Sequence, residues 1–205
     1  MHWFHSMITN YYLDCLEVAV LRGEKAWAMK DIEGANTYSC MQFFFSALTA
    51  LEAYRTNTIT KTTTKKRKYR LVFRKYSQLV EKWFQRGSQN SEHLSLLLDA
   101  ETMVWQKKST VDVKVAFDIS IVTASRGGFQ QDAALANERA GVFFLHKNYP
   151  DWAFAYLTEA RELYKSWGAL AKVRQMDHKY SLILAPNNND DNHHHNKNIL
   201  EERAR

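Results

Sequence analysis

The side chains in this sequence most able to do chemistry are cations. Lys61, Lys65, Lys66, Arg67, Lys68, Arg70, Arg74 and Lys75 supply 8 of the 28 Lys and Arg residues, and Tyr69 and Phe73 stand among them. A cluster of this kind neutralises phosphates or anionic lipid heads, or serves as a nuclear import signal. Its plain structural reading is a basic, Thr-rich loop over about 56–68 that runs into the solvated face of a helix, with the aromatic residues packed inward. The contact patch would be Lys65, Lys66, Arg67, Lys68 and Arg70. Without the cluster 20 basic residues face 22 acidic ones, so the net charge of +6 is local and not a property of the whole surface.

Other reactive side chains are scattered. Cys15 and Cys40 have no paired spacing for zinc and cannot build a disulfide framework, which points to a reducing, cytoplasmic setting. His193, His194 and His195 could bind nickel or zinc weakly, but they sit in an Asn-rich run that reads as a solvated tail. His2 and His5 lie near a terminus expected to fray, and His93, His146 and His178 lack companions at ligand spacing. Gly127-Gly128 is not followed by Lys-Ser/Thr, so it reads as a helix stop and not as a phosphate loop. The zincin, hydrolase and kinase signatures are missing from the sequence. Glu101 and Glu138 read as inter-helix polar contacts before they read as a catalytic pair. No catalytic, cofactor-binding or metal-binding residue is therefore assigned, and the expectation is a non-enzyme without cofactor.

The scaffold that would position these residues is expected to be all-α. Two prolines and seven glycines in 205 residues leave few tight turns, while helix formers abound. Periodicity predicts helices over Tyr11–Leu21, stopped by Gly23, and over Asp31–Arg55, where Phe43, Phe44 and Phe45 imply burial on most sides. Further helices are expected over Lys66–Arg86, Ser91–Gln106 with Ser91 as N-cap, Thr110–Arg126, Gln130–His146, Pro150–Ser166 and Gly168–Leu184. Short links imply antiparallel neighbours. The tryptophans, including Trp83, Trp105, Trp152 and Trp167, read as packing residues. No apolar run is long enough to span a bilayer. The helical domain is expected over 7–185, followed by a disordered Asn/His-rich tail over 186–205.

Within Ala134–Trp167 the small residues Gly141, Ala153 and Ala160 stand twelve and seven apart, with Phe144 and Leu157 between them. This resembles the tetratricopeptide pattern, where small residues let two helices approach and large ones fill the space between repeats. Asn137 and Lys165 occupy that consensus's tryptophan and proline positions. Sliding the sequence by 37 places Glu101 on Glu138, Ala116 on Ala153, Phe117 on Phe154 and Ile119 on Tyr156 but sets Leu157 on the polar Ser120, so the preceding hairpin is at best a degenerate copy. Such hairpins would stack as a solenoid. An Ala153→Leu replacement is expected to overpack the hairpin.

A further resemblance rests on Ala134-Leu135-Ala136, Glu138, Gly141, Ala153, Tyr156-Leu157, Ala160, Tyr164, Trp167-Gly168-Ala169 and Lys172-Val173. Upstream, Asn90, His93, Leu97-Leu98 and Ala100-Glu101 extend it, as does the stretch from Asp31-Ile32-Glu33 to Arg55. Together these look like the helical-repeat region that follows the AAA-type ATPase module in multidomain Ser/Thr kinase and sensor histidine kinase signalling proteins. The resemblance covers most of Ala26–Tyr180, with the basic Thr-rich stretch inserted. The ATPase and kinase domains are absent from the sequence, so no nucleotide-binding or phosphotransfer residue carries over. It implies a non-catalytic scaffold that contacts a protein partner or sister kinase and ATPase domains, in a freestanding chain or a piece of a larger one. The alternative is a basic adaptor that binds nucleic acid or anionic membrane through residues 61–75.

Overall fold

A computed structural model of the chain describes residues 2–28, 37–56 and 62–184, and all their regular elements are helical. In chain order these are α1 (His2–Tyr12), α2 (Leu16–Ala28), α3 (Thr37–Arg55), α4 (Thr63–Gln85), a 3-10 turn (Gln89–Ser91), α5 (Glu92–Trp105), α6 (Thr110–Arg126), α7 (Gln130–His146), α8 (Pro150–Ser166), α9 (Leu170–Lys179) and the single turn α10 (Ser181–Leu184). The protein is all-α, as its composition implies. The tail over 186–205, the His tract within it, Lys61 and Asp31-Ile32-Glu33 lie outside the described residues.

The helices gather into two compact units, Met1–Leu98 and Asp99–Arg205, whose boundary falls inside α5. Each has one helix sheathed on nearly all sides. In the first it is α3, where every residue from Phe43 to Leu51 is buried. An apolar girdle right round a helix is stable only when neighbours cover it. α1, α2 and α4 supply that cover, with Tyr11 and Tyr12 against Phe45 and Phe43 stacked on Tyr76. In the second unit the sheathed helix is α7, buried from Asp132 to Glu138 and packed between α6 and α8.

One turn device joins most of these helices. Asp14, Gly87, Lys107, Gly128, Asn148 and Gly168 all take positive φ, between 57° and 90°. In each case the next amide reaches back to the carbonyl five residues earlier, as in Cys15 to Asn10, Ser88 to Trp83, Lys108 to Met103, Phe129 to Ala124, Tyr149 to Phe144 and Ala169 to Tyr164. The positive-φ amide bonds three residues back, which completes the Schellman pattern and satisfies carbonyls orphaned at the helix end. From Gly87 onward these residues recur every 20 or 21 positions, so a helix pair with its turns spans 40 or 41.

Several expected boundaries differ. Tyr11–Leu21 is not one helix, because the Asp14 turn separates α1 from α2; His2 and His5 belong to α1 and not to a frayed end. Gly23 does not stop a helix. It is buried within α2, where an added Cβ would lie 2.9 Å from the Trp27 ring and 3.1 Å from Met7 Sδ. The basic segment is not a loop as far as residue 68: Thr62 caps α4 by accepting a hydrogen bond from the Lys65 amide, and the helix begins at Thr63. Ser91 is no N-cap, since it closes the 3-10 turn by donating to the Ser88 carbonyl at 2.7 Å. The last expected helix is broken at Tyr180, which separates α9 from α10.

Candidate functional site

The residues of the repeat signature converge on the α7–α8 hairpin. An added Cβ on Gly141 would lie 2.6 Å from Leu157 Cγ and 3.3 Å from the Leu157 amide nitrogen, so glycine sets the distance between the two helices. Ala153, Leu157 and Ala160 are fully buried and follow one another at helical spacing on one face of α8. Phe144 stacks on Tyr156 and meets Trp152 edge-on. Trp167, Gly168 and Ala169 form the turn beyond: Gly168 has φ +85°, Ala169 precedes α9, and Trp167 caps α8 while remaining 48% exposed. Trp167 is thus not a core residue, and none of the other five tryptophans is fully buried.

Three contacts between α5 or α6 and the next pair of helices share a register. Arg139 donates to Glu101, Tyr156 donates its hydroxyl to Asp118, and the Lys114 ammonium lies over the Trp152 ring, 5.4 Å from its centre. Each of these pairs is separated by 38 positions. Two such contacts on α6 and α8, four residues apart, require those helices to run in the same direction. The 37-residue slide therefore comes close to the contact register but misses the structural period. Lys107 and Asn148, which occupy the same place in their turns, are 41 apart, so Glu101 and Glu138 lie about one helical turn out of equivalence.

A second deeply buried ionic group, besides Arg139–Glu101, is centred on Glu138. Lys172 Nζ donates to its Oε1 at 2.7 Å, the Tyr164 hydroxyl to Oε2 at 3.1 Å, and the Tyr180 hydroxyl to Oε1 at 3.4 Å. Lys172 also donates to Gln175 at 2.9 Å, and both side chains of the ion pair are 7% exposed. The group fastens α9 to α7 and α8, helped at the surface by Arg161 on Asp177. Sequence reasoning expected Glu138 in a contact but did not find its partners; Lys172 lies 34 residues away and Tyr180 lies 42. A Lys with apolar neighbours on a helix face otherwise too polar to pack was the available signal.

The basic residues form a different kind of surface. Helix α4 carries eight Lys and Arg against the single acid Glu81, which accepts from Ser95 and Gln85. Tyr69, Phe73, Tyr76 and Val80 are buried, so the aromatic residues within the cluster belong to the core. Lys65, Arg67, Lys68, Arg70, Arg74 and Lys75 are exposed and Lys66 is partly so. Lys68 bonds Glu24 at 2.7 Å and Tyr69 bonds the same carboxylate at 3.0 Å. Burial alone would raise Glu24, but these two hydrogen bonds and the charges of Lys68 and Lys65 outweigh it and hold the carboxyl below its usual value. The first turn of α4 has no acid and two lysines, which opposes the helix dipole. Arg67, Arg70 and Arg74, at three- and four-residue spacing, add like-charge repulsion of about 0.2–0.5 kcal/mol per pair.

Among the described residues no three His, Cys, Asp or Glu side chains come together as a metal site, and no helix is long and apolar enough to cross a membrane. The architecture defines an all-α protein of helix hairpins joined by a recurring Schellman turn. Against protein-family models, curated proteins and solved structures, the chain has no match.

Proposed function

We propose that the chain is a non-catalytic helical-repeat scaffold that mediates protein–protein or interdomain contacts in intracellular signalling. The observation that carries this reading is the double periodicity of the second unit: turns every 20 or 21 residues, and side-chain contacts between successive hairpins at an offset of 38. Repetition of one hairpin on the next is the logic of tetratricopeptide-like solenoids, which use their surfaces to hold other proteins. The resemblance to the repeat region of kinase and ATPase signalling proteins names the partner class: a sister kinase or ATPase domain.

The surface offered to such a partner is α6. Val111, Val115 and Ile119 are 65%, 51% and 49% exposed and follow one another four residues apart, a ridge with no apolar cover. A few such anchors dominate affinity in a protein interface. The test is to read the frames flanking this gene for a kinase or ATPase domain and to coexpress any such domain with the chain, followed by size-exclusion chromatography. Co-elution with a domain that is lost on Val115→Asp/Ile119→Asp supports the reading. A monomer that elutes alone, or a complex indifferent to those substitutions, overturns it.

A further inference from the structure

The arginine ridge of α4 is an interaction surface separate from the one just described. Arg67, Arg70 and Arg74 lie along the solvent side of the helix, opposite buried Tyr69, Phe73, Tyr76 and Val80, and span roughly 10 Å along the axis. Lys75 and Lys82 flank them. These charges are placed where the helix least tolerates them: like beside like at three- and four-residue spacing, behind a first turn that already carries Lys65 and Lys66 and no acid. Local conflict of this kind, maintained on a well-packed helix, is a mark of function and not of stability.

We propose that this ridge binds the phosphate backbone of double-helical nucleic acid. Three guanidinium groups held on a rigid helix match a line of phosphates, since arginine engages each phosphate through two donors. The exposed hydroxyl residues Thr62, Thr63 and Thr64 extend the donor line at the start of the helix. Two other polyanions fit the surface less well. Binding to an anionic membrane by an amphipathic helix needs a free apolar face, and here that face is in the core, leaving Leu71 as the one large exposed hydrophobic residue of α4. Single-strand binders stack bases on exposed aromatic side chains, and Tyr69, Phe73 and Tyr76 are buried. Recognition through the ridge is of charge and spacing, with little dependence on base sequence.

The test is a fluorescence-anisotropy titration of the full chain against a short labelled DNA duplex of mixed sequence, between about 50 and 200 mM salt. Wild type is compared with Arg67→Gln/Arg70→Gln/Arg74→Gln and with Lys108→Gln/Lys147→Gln/Lys165→Gln, which removes the same charge from exposed lysines elsewhere. Three phosphate contacts contribute a slope of roughly 2.7 to the plot of log affinity against log salt, or about 40-fold over that range. The arginine variant is expected to lose that part of the slope and at least about tenfold in low-salt affinity, while the lysine variant keeps its slope within about one unit. The melting temperature of each variant is measured alongside, which separates lost binding from lost folding. The proposal is overturned if wild type fails to bind duplex at the lowest salt, if both variants weaken equally, or if the chain binds phosphatidylserine vesicles through the ridge and leaves duplex alone.

Discussion

Replacing Lys172 with Met should be among the most damaging single changes available in the second unit. Its ammonium is 2.7 Å from Glu138, both side chains are 7% exposed, and the carboxylate would be left with only the Tyr164 and Tyr180 hydroxyls, at 3.1 and 3.4 Å. Breaking a buried ion pair from one side costs about 3–5 kcal/mol, because the remaining charge keeps its desolvation and loses its partner. For a chain of 205 residues that is a fall of roughly 6–20 °C in melting temperature, at about 2–4 °C per kcal/mol. Glu138→Gln should also be costly, since it leaves Lys172 charged and buried beside Gln175. The double variant Glu138→Gln/Lys172→Met removes both charges and keeps an acceptor for the two tyrosines, so it should lie within about 2 kcal/mol of wild type. Equilibrium urea unfolding of the four proteins closes the cycle, with an expected coupling of about 3 kcal/mol, at the upper end for residues in contact. A cost for Lys172→Met below about 1 kcal/mol, or a double variant as unstable as the two singles added together, would refute the claim that this pair fastens α9.

Other consequences can be measured on the same protein. Gly141→Ala gains about 1 kcal/mol of helix propensity, but its Cβ would fall 2.6 Å from Leu157 Cγ, so thermal melting should show a net loss of about 1–2 kcal/mol, partly restored by Leu157→Ala. Lys107→Gly relieves a non-glycine residue at φ 57° and should raise stability by up to about 1 kcal/mol in the same assay. Burial pushes the Cys40 thiol up to about 11 despite its hydrogen bond with Ser91, whereas Cys15 is exposed; alkylation followed by mass spectrometry should modify Cys15 alone until the chain unfolds. Burial first, and then the hydrogen bond and charge of Glu24, raise Tyr69 to about 12, so its contribution to stability is complete below about pH 10 and is lost as pH rises from there toward 12. Spectrophotometric titration should show a late phenol that disappears in Tyr69→Phe; an unchanged curve would count against the Glu24–Tyr69 contact.

How much of this was legible in the sequence depended on punctuation. Helices α6, α7 and α8 begin and end where periodicity placed them, because Gly127-Gly128 and Pro150 mark their limits and Ser109 caps α6 by accepting from the Asp112 amide. The N-terminal unit was harder to read. Its first turn is made by Asp14 in a left-handed conformation with no glycine to announce it, and the glycine that does stand nearby, Gly23, serves the approach of Trp27 and Met7 within a helix. Thr-rich sequence suggested a loop through residue 68, yet one threonine, Thr62, starts α4 as its cap. At the hairpin, size alone identified Gly141, Ala153, Leu157 and Ala160, since close approach leaves a composition signal. The Glu138 group leaves only the apolar neighbours of Lys172, because its members come from three helices and meet only when these are packed.

The two offsets in the second unit bear on how such hairpins add. Equivalent turn positions are 40 or 41 residues apart, while the three contacts that join α5 to α7 and α6 to α8 link residues 38 apart. A residue therefore meets not its own counterpart but a position about three residues earlier, a displacement of roughly 4.5 Å along the helix. Three or four residues is one helical turn, so the displaced position still lies on the counterpart's face. This is why sliding the sequence by 37 aligned Glu101 with Glu138 and Phe117 with Phe154 but set Leu157 on the polar Ser120: it is out of structural register. It also means that α5 and α6 meet α7 and α8 with one shared shift, whereas the contact of Lys172 on α9 with Glu138 lies at an offset of 34. Glu101–Arg139 and Asp118–Tyr156 thus follow from one displacement, the first joining α5 to α7 and the second α6 to α8.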